Sequence, residues 1–569
     1  MTSGIELLAA ALPLLIAGGL VVGLLWPATR AMPIAWVSAL AIGYLVWNMP
    51  PAWLGAASVV GVMTALQILW IVFGALVLLY TLMQAGAFDR INRGFAAVSD
   101  DRRVQIVLLG FFLATFIEGA AGFGTPAAVV APLLLGLGFP ALAAVIAALI
   151  GHIIAVTYGA VGTPIIVGIQ NPLGAVESTQ LAIEAGGYSV PEYAQLIATW
   201  AATYHTIAGV VMPLFAVGMV VYFFGDREER SLQPAWEAAP LALFAGVAFV
   251  IPYLLAATFL GGEFPSLIGA MVGGGITIGV LRAGYLEPAG EWDFPPREEW
   301  PTHWVGTIEP GGSAIDAEAD EEISLLAAWS PYIALVVLLV VTRVVDDVVA
   351  FLQQDLFITQ WSGIFGTDLA GSISWAYVPG FWLVVSALIA IPLFGMSRQQ
   401  VTAAWQEAAE KLVAPLIALV FVIAMVQVML QSGAHPGAPE AGSMIQALAS
   451  FTADSLGPAY PLIAALIGAL GAAMAGSNTV SNITFGGFQF EAATALALPT
   501  QLVVGAQAVG GAIGNLIAIH NVVAALATVG LVGQEGRVMR LNLIPLVYYS
   551  AVVGILAMLF SYLLFPGLF

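Results

Sequence analysis

Charge is what this 569-residue chain has least of. Only 8% of its residues are charged, while 60% are hydrophobic; soluble domains carry about a quarter charged residues. No soluble fold buries so much apolar surface while showing so little charge to water, so a water-soluble globular protein is excluded. There is no cysteine, which excludes disulfides and thiolate metal sites. Lysine is nearly missing too: Lys411 is the only one among the 14 basic residues. The sequence has no Gly-rich nucleotide loop with its lysine and no nucleophile elbow. Its intramembrane histidines, His152, His205 and His520, are too far apart to make a local metal pair at helical spacing. These absences argue against an enzyme, and no cofactor, metal or nucleic-acid partner is expected.

What the chain does have is apolar stretches of spanning length from Ile5 almost to Phe569, which a bilayer explains and a globular core does not. Uninterrupted spans fall near 5–26, 33–49, 57–86, 196–224, 236–259, 264–281, 327–342, 376–394, 412–431 and 543–566. The first lacks the positive n-region of a cleavable signal and is expected to be retained. Two regions, 104–172 and 459–532, are apolar but repeatedly broken by Gly, Pro, Ser, Thr and Asn. The formal net charge is −20, and the acids gather between spans. From Glu287 to Glu322 there are eleven acids against Arg297 alone. Such an acidic surface suits strong salt, so the expectation is the plasma membrane of a halophilic prokaryote, with this loop partly disordered.

Basic residues favour cytoplasmic loops, and this resolves the broken regions. If 104–138 and 459–496 are re-entrant hairpins and 140–172 and 499–532 are broken full crossings, twelve crossings result. Both termini then lie outside, as does Arg343, and the other 13 of 14 basic residues, Arg227 among them, lie inside. If both hairpins crossed instead, only eight would lie inside. The sequence therefore predicts an all-α polytopic membrane protein of about 12 transmembrane helices plus two re-entrant hairpins in an inverted repeat. Its parts are N-terminal spans (1–103), a first interrupted-helix unit (104–225), two spans (226–282) and an acidic cytoplasmic loop (283–326). The spans of the second half (327–458) and a second interrupted unit with the final span (459–569) follow. The stretch Val344–Gly366 reads as an external amphipathic or re-entrant segment.

Broken backbone survives at membrane depth only when it is buried in protein or lines a wet cavity. Four breaks, Glu118–Pro126, Tyr158–Pro164, Gly476–Asn482 and Gly511–Asn521, are expected to meet near the midplane. Helix N-termini aimed inward offer free N–H groups and partial positive charge, which suits a carboxylate. Around them stand the candidate substrate contacts Gly122, Gly124, Thr125, Thr163, Ser477, Asn478, Thr479, Ser481 and Asn482. Glu118 is the one acid of the first hairpin, and intramembrane acids are functional candidates. It can either carry a coupling proton or brace the hairpin. His520, beside Asn521 in the last break, is the best placed of the histidines for a proton relay. Glu491 is a weaker candidate.

The motifs FIEGAAGFGTPAAVVAPLLLGLGFP and YGAVGTPI, with GSNTVSNITFGGFQ and ALATVGLVGQEGRVMR, resemble the two signatures of the lactate permease family. The likeness covers most of the chain. It implies import of lactate, often also glycolate, with protons across the plasma membrane, by elevator-like alternating access on an inverted repeat. A homodimer is compatible with such a scaffold. The chain departs from the family pattern at Asn478, where an acid is expected, at Asn515, where a lysine is expected, and at His152, in place of a neutral amide. These departures make Asn515 a coupling-ion candidate beside Glu118 and His520. Ser477-Asn478-Thr479 also resembles the motif of sodium-coupled carboxylate transporters. The alternative is therefore a sodium-coupled carrier of a dicarboxylate or other small organic anion, with the Thr157–Thr163 break supplying a second donor cluster.

Overall fold

In hydrocarbon an uncharged apolar run can satisfy its backbone only by helix formation, and the computed structural model is helical almost throughout. It describes residues 4–24, 26–122, 124–226, 230–311, 323–439 and 442–568. Among these, 11 helices are long and apolar enough to cross a bilayer. The number is 12 if the bent pair Val190–Gly209 and Met212–Phe224, meeting at 41°, is one span. The two longest, Pro51–Gln84 and Arg398–Gln431, have 34 residues each. At 1.5 Å per residue that is about 51 Å, well beyond a hydrocarbon core of about 30 Å. They pack closely because small residues face each other: a Cβ on Gly61 would overlap the backbone of Ala424. With Ala28–Leu45 and Pro379–Leu393 they form one group of helices. The two interrupted regions, together with Ala239–Phe259, Pro265–Arg282 and Glu535–Leu559, form the other.

Length alone does not separate a hairpin arm from a span, since Arg102–Ala120 is long enough to cross. Side-chain contacts do separate them. Arg102, at the start of the first hairpin, donates to the carbonyl of Leu137 at its end (2.6 Å) and lies over the Phe139 ring. The chain therefore returns through Thr125–Gly136 to the side from which it came. In the second hairpin Ser481 donates to Gly468 O (2.7 Å) and Gln489 to Ala464 O (3.1 Å). Its arms, Tyr460–Ala475 and Asn478–Ala495, are thus antiparallel.

The bent pair shows how the two hairpin bases are related. Near its start, Tyr193 bonds Thr500 and Trp200 donates to Gln501 (2.9 Å), both just past the second hairpin. At its end Phe224 stacks on Trp304, and Gly225 lies beside Trp292. Trp292 in turn touches Phe294, and Phe294 touches Phe139 at the first hairpin's base. The two bases therefore sit at opposite ends of this rod, and the tips point at each other.

Two expectations change. The stretch after Val344 holds a short helix, Asp346–Leu352, and then two antiparallel strands, Ile358–Trp361 and Gly371–Ser374. A hairpin of strands outside the helical core leaves no periodic signal in an apolar sequence. The acidic loop is also more ordered than its charge suggested. Phe294 and Trp304 are buried, Asp293 pairs with Arg102 (2.9 Å), Gly290 O accepts from Arg103, and Gly311 N donates to Leu135 O (3.0 Å). Its aromatic residues seat it on the first hairpin's base. Residues 312–322 and Arg227 lie outside the described residues.

Candidate functional site

All four breaks contribute to one buried cavity. Glu118 and Gly122 come from the first hairpin, and Val156, Gly159, Ala160 and Pro164 from the first broken crossing. Gly476, Ser477, Asn478 and Thr479 come from the second hairpin, and Asn515 from the second broken crossing. The accessible space is about 20 Å³, room for about one water-sized body. A short carboxylate is larger than that, so the site is too narrow here to hold one.

Each break has a local cause. At the second tip Gly476 turns the chain with φ +67°, a conformation that favours glycine. Ser477 then caps the helix Asn478–Ala495 by accepting from Val480 N (3.5 Å). That helix's N-terminus, with its unpaired N–H groups, lines the cavity. In the first broken crossing Ala160, Val161 and Gly162 are all left-handed (φ 44°, 53° and 77°). For alanine and valine this conformation is strained. Thr163 clamps the turn by donating to Ala160 O (2.6 Å).

Glu118 is 3% exposed, lines the cavity, and its Oε2 has no hydrogen-bond partner. Among the described residues it takes part in no ion pair. Gly159 faces it so closely that a Cβ there would overlap Oε1. Asn478 donates to Val156 O (3.5 Å), and its Oδ1 is left without a donor. Asn515 donates to Gly511 O (2.9 Å) and accepts from Asn521 (2.7 Å). That chain leaves Asn521 Oδ1 without a donor, against Gly124.

Of the sequence candidates, Glu118, Gly122, Ser477, Asn478, Thr479 and Asn515 come together on the cavity. Others brace it. Thr125 donates to Gly122 O (2.6 Å), Asn482 to Pro164 O (3.0 Å), and Ser481 accepts from Gln507 (3.0 Å). His520 lies over Gly476, where a Cβ would overlap its ring, and is exposed. His152 bonds Ala148 O (2.7 Å), while His205 bonds Thr157 (2.7 Å) and Tyr549 (2.6 Å). Glu491 accepts from Gln446 (3.2 Å) and Thr179 (3.4 Å). Val156, Gly159, Ala160 and Pro164 also line the cavity. For Gly159, Ala160 and Pro164 the signal in the sequence was the break itself, whereas Val156 lies ahead of it and had none.

A family model described as L-lactate permease matches residues 6–564. The chain belongs to the L-lactate permease family. It is a multi-pass membrane protein of that family, a permease and not an enzyme. It is 26% identical to the L-lactate permease of Bacillus subtilis, covering 89% of this chain and 87% of that one. It is 25% identical to the glycolate permease GlcA of Escherichia coli, over 94% and 91% of the two chains. To the L-lactate permease of the same organism it is also 25% identical, over 92% and 90%. Among solved structures it is similar to the YdaH transporter of Alcanivorax borkumensis at a TM-score of 0.38 and 16% identity, over 90% and 87%.

Proposed function

We propose that this chain is a secondary active transporter of lactate or a similar short monocarboxylate such as glycolate, symported with protons across the plasma membrane. The observation that carries this reading is the position of Glu118. It is a buried carboxyl without a cationic partner among the described residues, in the same cavity as the N-terminus of Asn478–Ala495. That helix end holds the substrate carboxylate through its N–H groups. Two negative charges in one buried cavity repel strongly, so the anion enters with a proton on Glu118. The loaded site then carries no more net charge than the empty one with Glu118 ionised. Because the cavity is too small for a carboxylate, loading requires the tips to part. The two helix groups, with hairpins entering from opposite ends, support an elevator-type movement on an inverted repeat.

Sodium coupling, with a dicarboxylate or other organic anion as cargo, is the second reading. Asn478 Oδ1 and Asn521 Oδ1 lack donors, and oxygen ligands suit a hard cation.

Glu118→Gln tests the first reading. In proteoliposomes it is expected to abolish proton-driven lactate accumulation while lactate–lactate exchange persists. Accumulation equal to the parent protein's would remove Glu118 from coupling.

A further inference from the structure

The polar atoms of the cavity are not all of the kind a carboxylate needs. A carboxylate only accepts hydrogen bonds, and the N–H groups at the start of Asn478–Ala495 serve it. Asn478 is turned the other way. Its amide nitrogen points at Val156 O (3.5 Å), which leaves the acceptor Oδ1 over the bare Cα of Gly511, with no donor to it among the described residues. The residue is 3% exposed. A buried acceptor left unmatched is unfavourable, and it discriminates strongly against any ligand that brings no donor.

Lactate and glycolate have one donor apart from an acid proton, the hydroxyl on the carbon next to the carboxylate. Of the two unmatched acceptors on the cavity lining, Glu118 Oε2 can take the coupling proton, whereas Asn478 Oδ1 cannot and depends on a donor from outside its own side chain. We infer that Asn478 reads the 2-hydroxyl: its Oδ1 accepts from that group when the helix N-terminus beside it holds the carboxylate. Asn478 is then a specificity residue for 2-hydroxy monocarboxylates over plain short fatty acids. This rests on the monocarboxylate reading above.

The test is labelled L-lactate counterflow in proteoliposomes of the full chain, with unlabelled lactate or propionate as competitor. Propionate differs from lactate only in lacking the hydroxyl. For the parent protein it is expected to compete at least about 10-fold more weakly than lactate. In Asn478→Ala the gap is expected to close to within about 3-fold, through weaker lactate competition. Asn478→Leu, which fills the volume without an acceptor, carries the same comparison should the alanine variant not fold. Propionate competing as well as lactate in the parent protein would overturn the inference, and so would an unchanged gap in Asn478→Ala or Asn478→Leu. No lactate counterflow in the parent protein would overturn the monocarboxylate reading, and this inference with it; counterflow with an unchanged gap overturns this inference alone.

Discussion

Gly159 is the residue on which the geometry of Glu118 depends. Its bare Cα lets the carboxyl stand against the broken crossing, and a Cβ would overlap Oε1. Gly159→Ala is expected to lower proton-driven lactate uptake at least about 10-fold, since a misplacement of about 1 Å at a reacting group can remove two orders of magnitude. The amount of folded protein in the vesicles is expected to stay the same. Unchanged uptake would mean that Glu118 does not need its present position. The sequence showed Glu118 as the hairpin's one acid, and it showed the small donors around the tips. It could not show which of those donors face inward. Thr125 and Thr163 have the right chemistry but use it to brace the turns, because a hydroxyl near the end of a helix bonds the nearest free carbonyl first, and Ser481 ties the two arms of its hairpin together.

At the scale of elements, the breaks were legible because glycine, proline and small polar residues interrupt otherwise continuous apolar runs. The hairpin assignment followed from where the arginines fall, and the contact of Arg102 with Leu137 gives it a physical anchor. The left-handed turn at Ala160 and Val161 was not legible, since neither residue favours that conformation. Ala160→Gly relieves the strain at the first of these and is expected to raise the unfolding temperature of the detergent-purified protein. A lower unfolding temperature would mean that the alanine methyl contributes more by packing than the turn loses by strain.

The turn also leans on a buried ion pair. Gly162 packs on the backbone of Gly262 and Glu263, and Glu263 bonds Arg343 at 2.5 Å with both side chains under 10% exposed. Arg343 further donates to Tyr377 O (2.6 Å). Removing one partner of a buried pair leaves an uncompensated charge, at a cost of about 3–5 kcal/mol. Arg343→Met alone is therefore expected to destabilise the purified protein strongly, and Arg343→Met with Glu263→Gln to restore most of the loss. A double variant no more stable than the single one would show that the pair's worth lies elsewhere. The sequence placed Arg343 as the one basic residue on the outer side but gave no hint of its partner, 80 positions away.

At the scale of the molecule, the account requires the two hairpins to open toward opposite faces of the membrane. The absence of cysteine makes this directly testable. Asp100, before the first hairpin, and Ala497, after the second, are both exposed. In right-side-out vesicles a membrane-impermeant maleimide is expected to label Ala497→Cys and not Asp100→Cys, with the reverse in inverted vesicles. Labelling of both from one side would contradict the opposed arrangement. Composition made the membrane class plain, and motif likeness gave the family. The packed acidic loop and the strand pair were hidden, because their order comes from contacts distant in sequence, such as Phe294 on Phe139.

If a short carboxylate moves with a proton through the cavity at Glu118, labelled L-lactate uptake into proteoliposomes of the purified chain, under an inward proton gradient and, separately, an inward sodium gradient, shows it. Accumulation above empty liposomes is expected with the proton gradient, with collapse of that accumulation by a protonophore and no accumulation with sodium alone. Accumulation driven by sodium and indifferent to the proton gradient would contradict it, and would move the coupling site from Glu118 to the amide oxygens of Asn478 and Asn521.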